Sequence, residues 1–168
     1  MLPFSVSPYF PGIQVTRSVR FSKALLLSTQ LRTFLVEDSA VIRENLVATL
    51  EEILPLKVVG TAEDEASAVR WLADPANACE LGIIDIFLKR GSGLGVLRAV
   101  RANHRKIKLI VLSNYATVDM RATCKQLGAD KVFDKSHEID GLLRYCARLA
   151  EADGTFADSR AGGLDAAT

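Results

Sequence analysis

Five polar residues that end or follow apolar runs could do chemistry together. Glu37 and Asp38 follow one such run, Asp85 and Ser113 end two others, and Lys135 follows a fourth. Aspartate is common in turns, so one of these acids taken alone says little about function. Three acids, a hydroxyl and an ammonium at one edge of a sheet would be a far more specific pattern, provided that the runs are strands.

Phosphoryl transfer is the chemistry that this set of residues suits. Three crowded carboxylates repel one another unless a cation lies among them. Mg²⁺ prefers oxygen ligands and leaves coordination positions for water and a phosphate. The Lys135 ammonium and the Ser113 hydroxyl would bind anionic phosphoryl oxygens. Asp85 is the predicted nucleophile, because carboxylates form aspartyl phosphates.

The elements that must position these residues alternate between strand and helix. Apolar runs predict strands at 31–36, 57–62, 80–85, 107–113 and 130–134. Helical spacing of apolar residues predicts helices at 39–54, 63–74, 93–104, 116–128 and after Ser136, the expected N-cap of the last helix. Strands that are continuously apolar indicate a parallel sheet covered on both faces, and hence an α/β, doubly wound fold. Ligands bind at the carboxyl ends of the strands in such sheets.

The chain is predicted to hold one domain between two tails. Residues 1–30 are rich in Ser, Pro and Arg without sustained periodicity, which predicts a disordered leader or a start assigned too far upstream, with a transit peptide as a further alternative. Residues 31–150 form the predicted domain. Residues 151–168 are rich in Ala, Gly and Asp, which predicts a flexible tail.

Composition and charge narrow the range of partners. Residues 34–150 balance sixteen basic against sixteen acidic side chains, so we expect no direct binding of nucleic acid. No apolar run reaches the roughly 20 residues that span a bilayer, so we expect no membrane partner. The three cysteines are scattered and form no CxxC pair, which favours a reducing, cytoplasmic location over a disulfide framework or a zinc site.

The sequence resembles the CheY-like receiver domains of two-component response regulators over about residues 31–150. The matching residues are Glu37, Asp38, Asp85, Gly93, Ser113 and Lys135. The resemblance implies a flavodoxin-like (βα)5 fold with five strands in the order 2-1-3-4-5. It also implies a phosphorelay signalling protein that is not an enzyme, except that it catalyses its own phosphorylation and dephosphorylation.

The same resemblance implies a role for each site residue. Asp85 would accept a phosphoryl group from a sensor histidine kinase or a phosphotransfer protein. Mg²⁺ would be held by Glu37, Asp38, Asp85 and the backbone carbonyl of Phe87. Ser113 and Lys135 would contact the phosphoryl group. Phosphorylation would then switch a protein-interaction surface made by the fourth and fifth strands and helices, through which members of this family commonly form homodimers.

Some positions depart from the pattern of the family. Val132 stands where an aromatic switch residue is usual, and Ser136 stands where a proline is usual. Phe87 and Tyr115 occupy positions that influence loss of the phosphate in this family. Their bulk could shield a phosphoryl group from water, which predicts a long-lived phosphorylated state.

The leading hypothesis is a stand-alone phosphoreceiver that acts on a downstream protein partner. One alternative is a receiver fragment of a larger response regulator, for example a DNA-binding one. Another is a receiver-like scaffold that is never phosphorylated. A phosphatase of the haloacid-dehalogenase type is disfavoured, because those enzymes place a second acid two residues after the nucleophile, where this chain has Phe87.

Overall fold

Residues 30–103 and 106–161 are described by the structure, a computed structural model. The elements are β1 (Leu31–Val36), α1 (Ala40–Ile53), β2 (Leu56–Ala62), α2 (Glu65–Ala73), β3 (Leu81–Ile84), α3 (Gly93–Ala102), β4 (Lys108–Ser113), α4 (Val118–Gln126), β5 (Lys131–Asp134) and α5 (Ile139–Ala161). All the predicted strands and helices are therefore present, with ends that differ by a few residues.

The five strands form one parallel sheet in the order β2-β1-β3-β4-β5. This order confirms the prediction of an α/β, doubly wound sheet with the order 2-1-3-4-5. From β1 the chain adds β2 on one side of the sheet, and then β3, β4 and β5 on the other. The carboxyl ends of β1 and β3 therefore flank the point where strand order reverses, which is where ligands bind in sheets of this class.

Each face of the sheet buries its own apolar cluster. On one face, Leu46 of α1 and Leu142 of α5 pack with Leu35 and Ile83 of the central strands. On the other face, α2, α3 and α4 contribute Ala68, Leu72, Val96, Leu97, Val100 and Cys124. Full burial of a leucine or isoleucine side chain stabilises the fold by about 1.5–3 kcal/mol. Continuous burial on both faces explains why the strands are continuously apolar in sequence.

Polar side chains fix where the first four helices begin. Ser39, Asp64, Ser92 and Thr117 each accept a hydrogen bond from a backbone N–H in the first turn of the helix that follows. Such caps satisfy donors that the first helical turn leaves without a backbone partner. Ser39, Asp64 and Thr117 come within four residues of the ends of β1, β2 and β4. These three caps therefore also hold the short loops that follow those strands.

The fifth helix does not begin as predicted. Asp134 Oδ1 accepts hydrogen bonds from the backbone N–H groups of Ser136 and His137, at 2.7 and 3.1 Å, and holds a turn after β5. The helix begins only at Ile139. The prediction that Ser136 is its N-cap is therefore wrong.

The ends of the predicted domain can be compared with the structure in part. β1 begins at Leu31, and α5 continues to Ala161, so helical backbone extends into the segment that was predicted as a flexible tail from residue 151. The predicted leader, except residue 30, and the end of the tail lie outside the described residues. Among the residues that are described, no helix combines the length and the apolar character needed to cross a membrane.

Candidate functional site

The five predicted polar residues lie at the carboxyl edge of the sheet. Glu37 and Asp38 follow β1, Asp85 follows β3, Ser113 ends β4 and Lys135 follows β5. These four strands are consecutive neighbours in the sheet. The backbone N–H of Lys135 donates to the carbonyl of Ser113 at 3.0 Å, which aligns the ends of β4 and β5.

Lys135 lies between two buried carboxylates. Its Nζ lies 2.5 Å from Glu37 Oε2 and 2.7 Å from Asp85 Oδ2, and all three side chains are at most 10 % exposed. Burial by itself would lower the pKa of Lys135, but the hydrogen bonds and charges of Asp85 and Glu37 outweigh it and raise the pKa above its ordinary value. The ammonium is therefore charged at neutral pH. It offsets the buried charge of Asp85, the carboxylate that the sequence places at the end of an apolar run.

Asp38 completes a cluster of three carboxylates. Glu37, Asp38 and Asp85 each offer a carboxylate oxygen that lies within 4.8 Å of the others. Three negative charges exceed the single positive charge of Lys135 by two, which is the charge that a divalent cation supplies. A donor set made only of oxygen atoms fits a hard cation such as Mg²⁺.

Each carboxylate is also held by a backbone donor. The N–H groups of Ser39, Lys89 and Phe87 donate respectively to Glu37 Oε1 at 3.1 Å, Asp38 Oδ2 at 3.0 Å and Asp85 Oδ1 at 3.2 Å. These bonds fix the orientation of each carboxylate. Phe87, whose carbonyl was predicted as a metal ligand, thus lies beside the Asp85 carboxylate.

A close approach of backbone to backbone shapes the loop after Asp85. The N–H of Gly93 donates to the carbonyl of Ile86 at 2.9 Å, and Phe87 bridges to Ser92. A Cβ atom on Gly93 would overlap the carbonyl oxygen of Asp85. Only glycine lets α3 begin this close to the site.

A second feature of this loop was not expected from the sequence. Glu65, from the first turn of α2, accepts a hydrogen bond from the N–H of Ser92 at 2.8 Å. Its side chain fills the space that a Cβ atom on Gly91 or Gly95 would occupy. The glycines on either side of Ser92 therefore admit a carboxylate that joins α2 to the start of α3.

Ser113 is fully buried at the end of β4. Its Oγ accepts a hydrogen bond from the N–H of Tyr115 at 3.2 Å, so the hydroxyl is tied to the loop that leads into α4. The bond uses a lone pair of Oγ, so the O–H of Ser113 remains available to donate to an anion at the edge of the sheet.

Two exposed aromatic residues lie on the loops that follow Asp85 and Ser113. Phe87 is 51 % exposed and Tyr115 is 65 % exposed. Their ring centroids are 5.3 Å apart in an edge-to-face arrangement. Aromatic pairs favour this geometry, so the two rings pack on each other and join the loops that follow β3 and β4.

The structure also explains the departures at the end of β5. Val132 is buried on the face of the sheet that α2, α3 and α4 cover. Phe133 points to the opposite face, where its ring lies 6.2 Å from that of Tyr145. The neighbouring phenylalanine therefore cannot take the place of an aromatic residue at Val132.

Arg121 and Glu138 were missed by the sequence analysis. They form an ion pair at 2.6 Å beside β5. An arginine in a short polar helix and a glutamate near a helix start are ordinary solvent-facing residues in sequence. No signal in the sequence could have brought the two together.

A family model described as the response regulator receiver domain matches residues 33–147. The chain belongs to this family. The match includes the whole carboxyl edge of the sheet and every residue of the site described above.

Two curated relatives set the scale of the similarity. This receiver domain is 34% identical over 128 residues to a protein from Picosynechococcus named as a probable transcriptional regulatory protein, a match that covers 73% of this chain and 50% of that protein. It is 32% identical over 134 residues to a protein-glutamate methylesterase/protein-glutamine glutaminase from Anaeromyxobacter dehalogenans, covering 79% of this chain and 36% of the relative. The chain thus spans half or less of the length of these relatives.

Solved structures agree with the fold of this receiver domain. The receiver domain of Francisella response regulator 1452 aligns with a TM-score of 0.65 at 19% identity, covering 73% of this chain and 98% of that one. A response regulator from Burkholderia pseudomallei, solved with a phosphorylated aspartic acid and a calcium ion, aligns with a TM-score of 0.61 at 19% identity, covering 81% of this chain and 76% of that one.

Proposed function

We propose that this receiver domain accepts a phosphoryl group on Asp85 in a Mg²⁺-dependent reaction and thereby switches a protein-interaction surface. The observation that carries the proposal is the arrangement of three carboxylates within 4.8 Å, with the ammonium of Lys135 bonded to two of them. Such a set combines a nucleophile, a cation site and a fixed positive charge within one edge of the sheet.

The transfer itself needs few groups from the protein. An oxygen of the Asp85 carboxylate attacks phosphorus, the bond from phosphorus to the donor atom breaks, and the donor leaves with that electron pair. Glu37, Asp38, Asp85 and the carbonyl of Phe87 would hold Mg²⁺, which would neutralise charge on the phosphoryl oxygens. Lys135 supplies a second positive charge next to the attacking carboxylate. Ser113 supplies a hydroxyl donor, while its Oγ accepts from the N–H of Tyr115.

The donor that fits this site is a phosphorylated histidine on a sensor kinase or a phosphotransfer protein. We propose this partner from the family, together with the phosphorylated aspartic acid named for the Burkholderia relative. The partner that responds could be an effector domain on the same chain or a separate protein. The chemistry of Asp85 is the same in both cases.

Intact-mass spectrometry tests the proposal most directly. We expect the purified chain, incubated with acetyl phosphate and MgCl₂, to gain the mass of one phosphoryl group, and to gain none in excess EDTA. Asp85→Ala should gain nothing, because the nucleophile is gone. Asp119→Ala, at an exposed aspartate in α4, is the matched control and should behave like the wild type. An unmodified wild type, or an equal gain on Asp85→Ala, would refute the proposal.

A further inference from the structure

Arg121 joins three segments that surround Ser113 and Lys135. Its Nε donates to the carbonyl of Ala116 at 2.9 Å, in the loop from β4 to α4. Its Nη1 donates to the carbonyl of Val132 in β5 at 2.6 Å, and its Nη2 donates to Glu138 Oε2 at 2.6 Å, in the turn before α5. The planar guanidinium thus bonds the loop, the strand and the turn at once.

Glu138 extends these contacts to the backbone beside the site. The oxygen that accepts from Arg121 also accepts from the N–H of Asp134, at 2.7 Å. Because Lys135 donates its own N–H to the carbonyl of Ser113, the N–H of Asp134 faces away from β4. Arg121 and Glu138 therefore hold the residue that directly precedes Lys135.

The other end of the network starts at Ser113. The Ser113 hydroxyl accepts from Tyr115, and the next residue, Ala116, accepts from Arg121. A rotation of Ser113 toward a phosphoryl group would release Tyr115 and move the peptide that carries the Ala116 carbonyl. Since the Arg121 guanidinium is rigid, that movement reaches Val132 and Glu138 through it.

We propose that Arg121 is a positioning residue that couples the hydroxyl of Ser113 to the turn between β5 and α5. This proposal rests on the proposed function, because phosphorylation of Asp85 is what would draw the hydroxyl. On the face of β5 that packs on α4, the side chain is the apolar Val132, which offers no hydrogen bond of its own. Arg121 makes the polar connection between the loop from β4 to α4 and strand β5.

The network is weak enough to be rearranged. The side chain of Arg121 is 34% exposed and that of Glu138 is 40% exposed, so water competes for both groups. Two of the three acceptors of Arg121 are neutral carbonyls. Loss of one bond can therefore shift the position of the turn without unfolding the chain.

The first experiment measures the network in the unphosphorylated protein. We expect Glu138→Ala to speed amide exchange of Asp134 about tenfold, because its N–H loses a charged acceptor. Arg121→Gln should also speed the amide exchange of Asp134. The double variant should exchange at the same rate as Glu138→Ala, because Arg121 acts on Asp134 through Glu138. Lys125→Gln, at an exposed lysine in the same helix, should leave the exchange unchanged. Unchanged exchange in Arg121→Gln, or effects that simply add, would overturn the network.

The second experiment measures coupling after treatment with acetyl phosphate and MgCl₂. We expect Arg121→Lys to gain as much phosphoryl mass as the wild type, since Arg121 contacts none of the site carboxylates among its hydrogen bonds. The change in hydrogen exchange over residues 131–138 should be about fivefold smaller in Arg121→Lys, because an ammonium keeps the charge but cannot make the three directed bonds.

Two outcomes of the second experiment are decisive against the coupling. A full-sized exchange change in phosphorylated Arg121→Lys would overturn it and leave the proposed function intact. A wild type that takes up no phosphoryl group would overturn both the proposed function and the coupling. The intact mass therefore distinguishes the two failures.

Discussion

Lys135 lies between two buried acids and offsets part of their combined charge. Glu37 is 2% exposed and Asp85 is 7% exposed, and both share the same ammonium. An isolated buried carboxylate is costly, and two that face each other add repulsion to that cost. The site thus contributes to stability only as a complete set of charges.

Removal of the ammonium should therefore destabilise the fold. We expect Lys135→Met to lower the free energy of unfolding by about 3 kcal/mol at neutral pH without a divalent ion, because it leaves two buried acids unpaired. Urea denaturation measures this loss. The matched variant Lys125→Met replaces an exposed lysine and should change stability by no more than about 0.5 kcal/mol. Equal effects of the two substitutions would contradict the assignment.

Glu138 should make stability depend on acid pH. The hydrogen bond from Arg121, followed by that from the Asp134 N–H, holds the pKa of Glu138 below its ordinary value. A lowered pKa in the folded state means that the contribution is present above about pH 4.5 and is lost as the pH falls through the folded pKa. Since the pair is partly exposed, the contribution at pH 7 is at most about 1 kcal/mol.

Comparison with a neutral isostere measures this contribution. The wild type should exceed Glu138→Gln in free energy of unfolding at pH 7, and the difference should shrink toward zero near pH 3. A difference that stays constant from pH 7 to pH 3 would mean that the charge of Glu138 does not contribute.

Phe87 and Tyr115 should prolong the phosphorylated state. Hydrolysis needs water in line with the new bond, and we expect the paired rings on the loops after Asp85 and Ser113 to restrict its approach. We expect Phe87→Ala to shorten the half-life of the phosphorylated protein at least about threefold, followed as mass loss after the phosphodonor is removed. Val59→Ala, at an exposed apolar residue on β2, is the control. A wild-type half-life of only seconds would contradict the shielding.

At the level of elements, the loop from β3 to α3 leaves no room for a side chain where α3 begins. Gly93 stands where any side chain would overlap the carbonyl of Asp85. We expect Gly93→Ala to lower the free energy of unfolding by about 2 kcal/mol and to reduce phosphorylation by acetyl phosphate, because the backbone of the nucleophile must move. Gly128→Ala, at a position with φ of 99° where a new Cβ atom would meet only Arg101 Cδ at 4.0 Å, should cost stability without affecting phosphorylation.

The strands and helices could be predicted because the spacing of apolar residues follows from which faces of each element are buried. Short apolar runs such as Leu81–Ile84 favour strands buried on both faces, and polar residues that follow parallel strands share one edge of the sheet. The end of β5 could not be predicted in the same way. Serine is a good helix cap, but Asp134 accepts from the backbone N–H groups of Ser136 and His137 and holds them in a turn, so the helix starts only at Ile139.

Side-chain networks lie further beyond sequence reasoning. That Lys135 meets Glu37 as well as Asp85 depends on distances between residues 98 apart in the chain. The acceptors of Arg121 include two backbone carbonyls, and every residue type carries one of these. A pattern of residue types therefore cannot specify such contacts.

For the molecule as a whole, a divalent cation should act as a stabilising ligand. Mg²⁺ that binds only the folded chain raises its free energy of unfolding by about 1.4 kcal/mol at ten times the dissociation constant. We expect the thermal midpoint to rise with MgCl₂ in the wild type and to stay fixed in Asp38→Asn, which removes one charge of the cluster. Asp119→Asn, at an exposed aspartate, should respond like the wild type. Equal shifts in all three proteins would place the ion elsewhere.

The contacts of Arg121 and Glu138 also bear on how this sheet ends. β5 is an outer strand, and its carbonyl at Val132 and N–H at Asp134 are bonded by these two side chains instead of by another strand. Free backbone groups on an outer strand are a template onto which a second chain can add itself. Arg121 and Glu138 thus make hydrogen bonds that a sixth strand would otherwise make. A chain that lost both side chains would expose an edge suited to self-association and aggregation.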